Sequence, residues 1–418
     1  MKKSFLLGWA LSLVLVLWTT QSQQVAAQEF HCYDANGDEN VDVSDIVTLL
    51  FWMFTGSPTP EACPTGGGSG CDVSLPVEPG CRNDPNRFLD HGDGTITDTC
   101  TGLMWQKVSA DVGDDLNGAN DGSLGWCDAL AFADDLDFGG HTDWRLPNIR
   151  ELLSIVDHSR TVPAIDPAFV AEPLAYWSST PVGVDGTIEV PDGEGGTVFV
   201  GQARTIDFGN GAIGNIINRL DICGDPIGSC SVFIRAVRGI SASTPDTGVT
   251  MCHAEDGAAI PCGDTNCPAQ DADADFSCPN DEDRFVDNLD GTITDECTGL
   301  MWTQNSLDTE GGQGTTNFAN QWCEAIEFAD GLDFAGHTDW RIPSLHELQS
   351  LVDYGLITPS VHPLFNSATI AYWSSTPLDG TGGSSVWAIE FDRGSGGPIV
   401  TNGCKECFVA ARAVRTAQ

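Results

Sequence analysis

Positive charge is what this chain lacks most. Its 418 residues hold 18 Lys and Arg against 60 Asp and Glu, a formal net charge of −42 at neutral pH. Such a surface repels phosphate backbones and anionic headgroups, which excludes nucleic acid and anionic membrane as partners. Long apolar runs are missing too. After Trp18 no stretch approaches the roughly 20 apolar residues that a membrane span needs. The sequence groups no nucleophile with a base and an orienting residue, and no catalytic metal triad, so it does not read as an enzyme. Aromatic and β-branched residues are plentiful, so the charge imbalance does not imply disorder.

The chain opens on Lys2 and Lys3, an apolar run from Phe5 to Trp18, and the small-residue site Val25-Ala26-Ala27. This is the pattern of a secretory signal over residues 1–27. It predicts a secreted protein, extracellular or at the cell surface, with no membrane span once the signal is cleaved. Cleavage leaves 16 basic against 60 acidic residues, a charge of −44, which suits a soluble protein that loads cations. In that compartment 16 cysteines imply disulfides, eight in each half of the chain. The expectation is that pairs stay within each half, with local bridges at Cys223–Cys230, Cys252–Cys262 and Cys404–Cys407. Other pairings stay open, since eight cysteines allow on the order of 100 arrangements. Cys404 and Cys407 form a C-x-x-C, but no thioredoxin-like βαβ pattern surrounds them, so they read as a structural bridge.

Next comes a run of oxygen-bearing side chains. Asp34, Asn36, Asp38, Asn40, Asp42 and Asp45 alternate through a twelve-residue loop, with Val41 at its eighth position and an amphipathic helix, Ile46 to Phe54, behind it. Calcium takes six to eight oxygens from a loop tight enough to converge them, and this spacing supplies them. Calcium is therefore the expected cofactor. Two positions depart from the EF-hand pattern: Glu39 stands where glycine makes the sharp turn, and Asp45 is shorter than the usual bidentate Glu. The bland alternative is an acidic turn that caps a helix. Residues 57–80 are a Gly-, Pro- and Ser-rich linker stapled by Cys63 and Cys71.

The rest is organised around one stretch present twice, His141 to Asp157 and His337 to Asp353, 196 residues apart. Pro147 and Pro343 push the preceding residue away from helix. Asn148 with Glu151, and Ser344 with Glu347, then form capping boxes. Ile149, Leu152, Leu153 and Val156 make one apolar face; Leu345, Leu348 and Val352 repeat it. Trp144 and Trp340 read as core anchors. Upstream, Asp93-Gly94 and Asp290-Gly291 between alternating β-formers predict hairpins. Helices follow with Trp126, Ala129, Leu130 and Ala133, and with Trp322, Ala325, Ile326 and Ala329, on one face. Downstream, Tyr176-Trp-Ser-Ser-Thr180 and Tyr372-Trp-Ser-Ser-Thr376 read as buried strands turning at Pro181 and Pro377. Ile206 to Phe208 and Ile389 to Phe391 alternate as strands do, and each copy closes on a final strand, Phe233 to Arg238 and Phe408 to Arg415.

Several residues allow a sharper reading beside a structural one. His141 and His337 precede Thr-Asp and could pair with it on a metal, or simply form a turn. Ser178, Ser179, Ser374 and Ser375 lack a partner base. Arg145 and Arg341 could bind an anion but are expected to pair with acids, as are Arg235, Arg238, Arg412 and Arg415. Asp271, Asp273, Asp275 and Glu282 mimic calcium-loop spacing, although no helix follows.

The motif order Asp-Gly-Thr-Ile-Thr-Asp, Thr-Gly-Leu-Met-Trp, His-Thr-Asp-Trp-Arg-Leu/Ile-Pro, Tyr-Trp-Ser-Ser-Thr and Arg-Ala-Val-Arg resembles the DUF1566 family, also called the Lcl C-terminal domain after a collagen-like adhesin. The calcium loop resembles one segment of a dockerin, though a dockerin has two; the likeness implies a cohesin-like partner. The family resemblance implies a disulfide-rich α+β chain of two tandem C-type-lectin-like domains. Each would set two helices on a small antiparallel sheet, behind a short calcium loop-helix. The organisation is then signal 1–27, dockerin- or EF-hand-like segment 30–56, linker 57–80, repeat one 81–240, a cysteine-rich acidic lead-in 241–280, and repeat two 281–418. The resemblance also implies adhesion or sugar binding, with sulfated glycans for the adhesin, a ligand that this acidic chain does not suit. The Glu-Pro-Asn and Trp-Asn-Asp calcium triplets of sugar-binding lectins are absent; Glu172-Pro-Leu174 echoes the first only in part. The function expected is non-enzymatic recognition of carbohydrate or a surface glycoprotein. The alternative is a calcium-rigidified structural part of the cell envelope. Loops 181–204 and 378–386, which differ between the copies, are the expected seat of specificity.

Overall fold

A computed structural model describes residues 81, 84–109, 124–182, 188–191, 197–217, 232–241, 243–274, 278, 280, 283–307, 321–356, 359–367, 371–378, 385–391, 399–404 and 409–417. The signal, the calcium loop from Asp34 to Asp45, the linker, Cys223, Cys230, Cys407, Asp275, Glu282 and most of the two variable loops lie outside them.

Repeat one begins with β1 (Phe88–Asp90), β2 (Thr95–Asp98) and β3 (Met104–Gln106). Gly94 makes the first hairpin possible: its φ is +92°, and a Cβ there would lie 2.6 Å from the Phe138 ring. Then come α1 (Trp126–Asp134), α2 (Ile149–Ser154), β4 (Ala175–Pro181), β5 (Ile188–Pro191), β6 (Thr197–Val200), β7 (Gln202–Asp207), β8 (Ala212–Ile217), β9 (Val232–Phe233) and β10 (Val237–Arg238). The lead-in adds β11 (Cys252–His253), β12 (Ala259–Ile260) and a 3-10 turn at Asp271–Asp273. Repeat two gives β13 (Phe285–Asp287), β14 (Thr292–Asp295), β15 (Leu300–Thr303), α3 (Trp322–Asp330), α4 (Leu345–Ser350), β16 (Ala371–Pro377), β17 (Ser385–Glu390), β18 (Ile399–Cys404) and β19 (Val414–Thr416). The content is mostly β with few helices, and the two helices per repeat fall where the apolar spacing puts them.

Each repeat carries two main sheets, not one, and repeat one adds the separate two-stranded pair β5-β6. The first has the order β1-β2-β3-β10, repeated as β13-β14-β15-β19. The second has the order β8-β7-β4-β9, with β16-β17-β18 as its counterpart. β9 runs parallel to β4, so the second sheet is mixed rather than purely antiparallel. The reason is that the closing segment is not one strand. Val232 and Phe233 pair with β4, the chain crosses over, and Val237 and Arg238 pair with β3 in the other sheet. A single segment thereby laces the two sheets together.

The motif residues do their work locally. Asn148 Oδ1 accepts from Glu151 N at 2.8 Å, and Glu151 Oε2 accepts from Asn148 N at 2.9 Å. Arg145 then clamps the same carboxylate through both terminal nitrogens, at 2.6 and 2.7 Å. Arg341 and Glu347 repeat the clamp. Arg87 pairs with the fully buried Asp98 and also donates to the Ser154 carbonyl, tying the hairpin to the end of α2. Trp144 and Trp340 are 1 % exposed, as core anchors should be.

The two repeats share one core. Ile149, Leu152 and Val156 pack in the same apolar cluster as Leu345, Leu348 and Val352. A disulfide also crosses between the halves. Cys127 of α1 bonds Cys267 of the lead-in, which overturns the expectation that bridges stay within a half. The lead-in packs on both repeats: Tyr354 N of repeat two donates to Thr247 O at 2.8 Å, and the lead-in also reaches back to repeat one. Gly201 N donates to Glu255 O, and Thr180 Oγ1 donates to Asp271 at 2.7 Å. Cys81–Cys100 and Cys278–Cys297 are equivalent bridges, and Cys252–Cys262 is local as expected.

Cys323 is also disulfide-bonded, and none of the four bridges above includes it. In the repeat correspondence Cys267 matches Cys71 and Cys127 matches Cys323. The same exchange made in the opposite direction predicts a Cys71–Cys323 bond. Peptide mapping of the unreduced protein is expected to recover that pair together with Cys127–Cys267. Linkage of Cys323 to Cys404 or Cys407 would break the correspondence.

Candidate functional site

The contact between the repeats is reciprocal. Tyr354 of repeat two lies between two arginines of repeat one, with Arg204 4.8 Å and Arg150 5.9 Å from its ring centre. The residue equivalent to Tyr354 in repeat one is His158. It packs at 5.2 Å against both His346 and Trp387 of repeat two. His346 is the equivalent of Arg150. Trp387 is the equivalent of Arg204, because Ile206 pairs with Tyr176 as Ile389 pairs with Tyr372. Matching surfaces thus face each other, the arrangement of an isologous dimer made within one chain. Arg150 also donates to the Val352 carbonyl across the contact.

Beside this contact a cleft of ≈ 350 Å³ opens between the copies. Equivalent residues line it from both sides: Thr101 and Thr298, Ser154 and Ser350, Arg150 and His346. Leu153 faces in from repeat one where Gln349 faces in from repeat two. Several of its polar groups have no hydrogen-bond partner among the described residues. These are Nε and Nη1 of Arg150, both amide atoms of Gln349, and the Thr298 hydroxyl. Arg150 is 5 % and Gln349 4 % exposed, so water does not satisfy them freely. Burial pulls the Arg150 guanidinium down to about 10, with Arg284 adding to the effect and Tyr354, Asp353 and Asp246 opposing it. It stays cationic at neutral pH. The arrangement can do one thing chemically: offer hydrogen bonds and one positive charge to a polar guest.

A larger hollow of ≈ 520 Å³ adjoins the Cys127–Cys267 bridge. Asp256 and Asp264 in its wall turn back onto their own loops, accepting from Ala258 N and Asn266 N.

The residues singled out in sequence mostly find structural partners. Ser178 Oγ and Ser374 Oγ donate to the carbonyls of Arg204 and Trp387. Thr180 Oγ1 accepts from Ile149 N, and Thr376 Oγ1 from Leu345 N, so both strands cap the helix beside them. His141 and His337 close turns through paired backbone bonds to Phe138 and Phe334. Arg238 and Arg415 pair with Asp143 and Asp339 as expected. Arg235 and Arg412 pair with no acid among the described residues. Each is fully buried and donates to three backbone carbonyls, those of Gln106, Lys107 and Val170 for Arg235. The crossover between sheets puts these arginines inside, where loop carbonyls are the acceptors at hand.

The calcium-like reading of Asp271 and Asp273 gives way to hydrogen bonding within the protein. Asp271 is 2 % exposed, and its Oδ2 takes hydroxyl bonds from Thr180 and Thr247 at 2.7 Å each. Asp273 accepts from Gln270 N and caps the turn. Cys252 and Cys262 approach Asp273, but the two sulfurs are bonded to each other and offer no thiolate to a metal.

Sequence reasoning missed Arg150, His158, Arg204, His346, Gln349, Tyr354 and Trp387. A signal was present. Within the duplicated stretch most exchanges between copies are mild, such as Leu146 for Ile342. Arg150/His346 and Leu153/Gln349 are not mild, nor is the next pair, His158/Tyr354. All six line the cleft or the contact.

The family model described as the Lcl C-terminal domain matches residues 94–214 and again residues 291–415. No curated protein matches the chain.

Proposed function

Because the chain belongs to the Lcl C-terminal domain family, in two tandem copies, we propose that it is a secreted, non-enzymatic recognition protein that binds carbohydrate or a surface glycoconjugate. The supporting observation is the cleft between the copies, where Arg150, Gln349 and Thr298 carry polar atoms that have no hydrogen-bond partner among the described residues. Groups left in that state disfavour the empty site and favour a guest that meets them. The copies are taken as C-type-lectin-like units, and Asp34, Asn36, Asp38, Asn40, Asp42 and Asp45 as a calcium loop that resembles a dockerin segment. The shared core argues against two independent binding modules gaining avidity through a flexible linker, since the copies do not move apart. Recognition is assigned to the fused pair.

A glycan-array screen of the secreted full chain, in calcium and then in EDTA, tests this. Hits that persist in EDTA are expected, because the charge the cleft offers is the Arg150 guanidinium, which repels a calcium ion. Calorimetry on the same protein should show calcium uptake that is abolished in Asp34→Ala. A blank array in both conditions would remove the recognition reading and leave a calcium-rigidified component of the cell envelope.

A further inference from the structure

We propose that the cleft between the repeats is a site for a carboxylate-bearing sugar, with Arg150 as its cationic contact and Gln349 and Thr298 toward the sugar hydroxyls. This deepens the recognition reading and rests on it.

The charge argument comes first. Arg150 is buried, spends one bond on the Val352 carbonyl, and keeps two nitrogens without an acceptor among the described residues. The carboxylates within electrostatic range of Arg150, Asp353 and Asp246, are already engaged, and Glu347 in the cleft wall is clamped by Arg341. Asp353 accepts from Asn280 and Gly355, and Asp246 from Gly248 and Thr247. A buried guanidinium without its full set of acceptors is costly, and an anionic guest in the cleft it lines removes that cost. One cation on a chain of net charge −42 suits a single negative charge better than a dianion such as phosphate.

The remaining walls fit a sugar ring. An amide with both ends unused can donate to one hydroxyl and accept from the next, and Thr298 adds a third polar contact. Leu153, Leu300 and Pro245 supply apolar surface for the face of a ring. A volume of ≈ 350 Å³ lies at the small end of ligand sites, enough for one or two sugar units. Within the duplicated stretch the unlike pairs Arg150/His346 and Leu153/Gln349 both line the cleft, so it is built asymmetrically: a guanidinium on one side, an amide on the other.

The test uses the full-length oxidised protein and three probes: galacturonate, galactose and galactose 6-sulfate, followed by saturation-transfer NMR and calorimetry. Galacturonate is expected to bind saturably, with galactose weaker by about tenfold or more, since a site with an unmet charged donor rejects a guest that lacks its partner. Arg150→Met should lose the discrimination. Gln349→Leu installs the residue that repeat one carries at the equivalent position, so it should fold normally and weaken galacturonate by several-fold. A thermal melt of each variant separates lost binding from lost folding. Equal binding of galacturonate and galactose, a preference for the sulfate, or full affinity in both variants would overturn the proposal. If array hits exist but galacturonate is silent, the cleft assignment falls and recognition stands. If the array is blank as well, both fall.

Discussion

Arg235→Met is expected to destabilise the protein by about 4 kcal/mol, on the scale set by removing one partner from a buried charged network. The side chain is fully buried, and its guanidinium donates to Gln106 O, Lys107 O and Val170 O at 2.5, 2.9 and 2.7 Å. The faces of Phe169 and Tyr176 lie 5.1 and 5.7 Å away. Methionine fills most of the volume and contacts both rings, so packing loss stays small. Gln106 O and Val170 O lose the guanidinium donor while Lys107 O keeps Val170 N at 2.9 Å, and each carbonyl left without a donor costs roughly 1–3 kcal/mol where water cannot replace it. Lysine should be little better than methionine, because a single ammonium cannot span carbonyls that the planar fork reaches together. Arg412 holds the carbonyls of Thr303, Gln304 and Asn366 in the same way, so Arg412→Met should cost a similar amount. Urea unfolding at neutral pH is the measurement. Since the repeats share a core, one transition should shift as a whole. A loss below about 1 kcal/mol would mean that the carbonyls find other donors.

That arginine also marks where local reasoning ends. The hairpins, the capping boxes and the apolar faces of all four helices could be read from sequence because each depends on residues within about one turn of one another. Asn148 and Glu151 announce α2 without knowledge of anything else. The closing segment from Val232 to Arg238 carries a plain β pattern, yet it serves two sheets, and only the partners β4 and β3 decide where it breaks. The abundance of acids makes an ion pair the expectation for Arg235; the crossover turns it inward to backbone carbonyls instead. The lead-in posed the same problem. Its cysteines sit next to repeat two in sequence, but Cys267 reaches α1 of repeat one, at a separation of 140 residues. Spacing within a repeat cannot reveal an exchange between repeats. The cleft was hidden for that reason, and only the unlike pairs Arg150/His346 and Leu153/Gln349 betray it.

Asp271→Asn is expected to stabilise the protein at pH 8 and to leave it almost unchanged at pH 4. Burial pushes the Asp271 carboxyl up to about 7, against the two hydroxyl bonds from Thr180 and Thr247, which pull it down. Asp246 and Glu151 add to the rise. Below the usual carboxylate value of 3.8 the group is protonated whether the chain is folded or not, and its stabilising share is fully present. Between 3.8 and about 7 the unfolded chain releases the proton while the folded chain keeps it, so stability falls as pH rises through that window and levels off above it. At about 1.4 kcal/mol per unit the full difference is on the order of 4 kcal/mol. Arg204, Arg145 and Tyr354 also lie within electrostatic range, but the one free oxygen, Oδ1, has no donor among the described residues. Asparagine keeps an oxygen for the two threonines and carries no charge to bury. The quantity to follow is the difference in unfolding free energy between variant and parent at several pH values, since other acids cancel in it. That difference should grow from pH 4 to pH 7 and then stay constant. A difference independent of pH would mean that Asp271 is ionised in the folded protein, held by the arginines around it. The turn that joins the lead-in to repeat one would then be an ion-pair site rather than a hydroxyl-bonded acid.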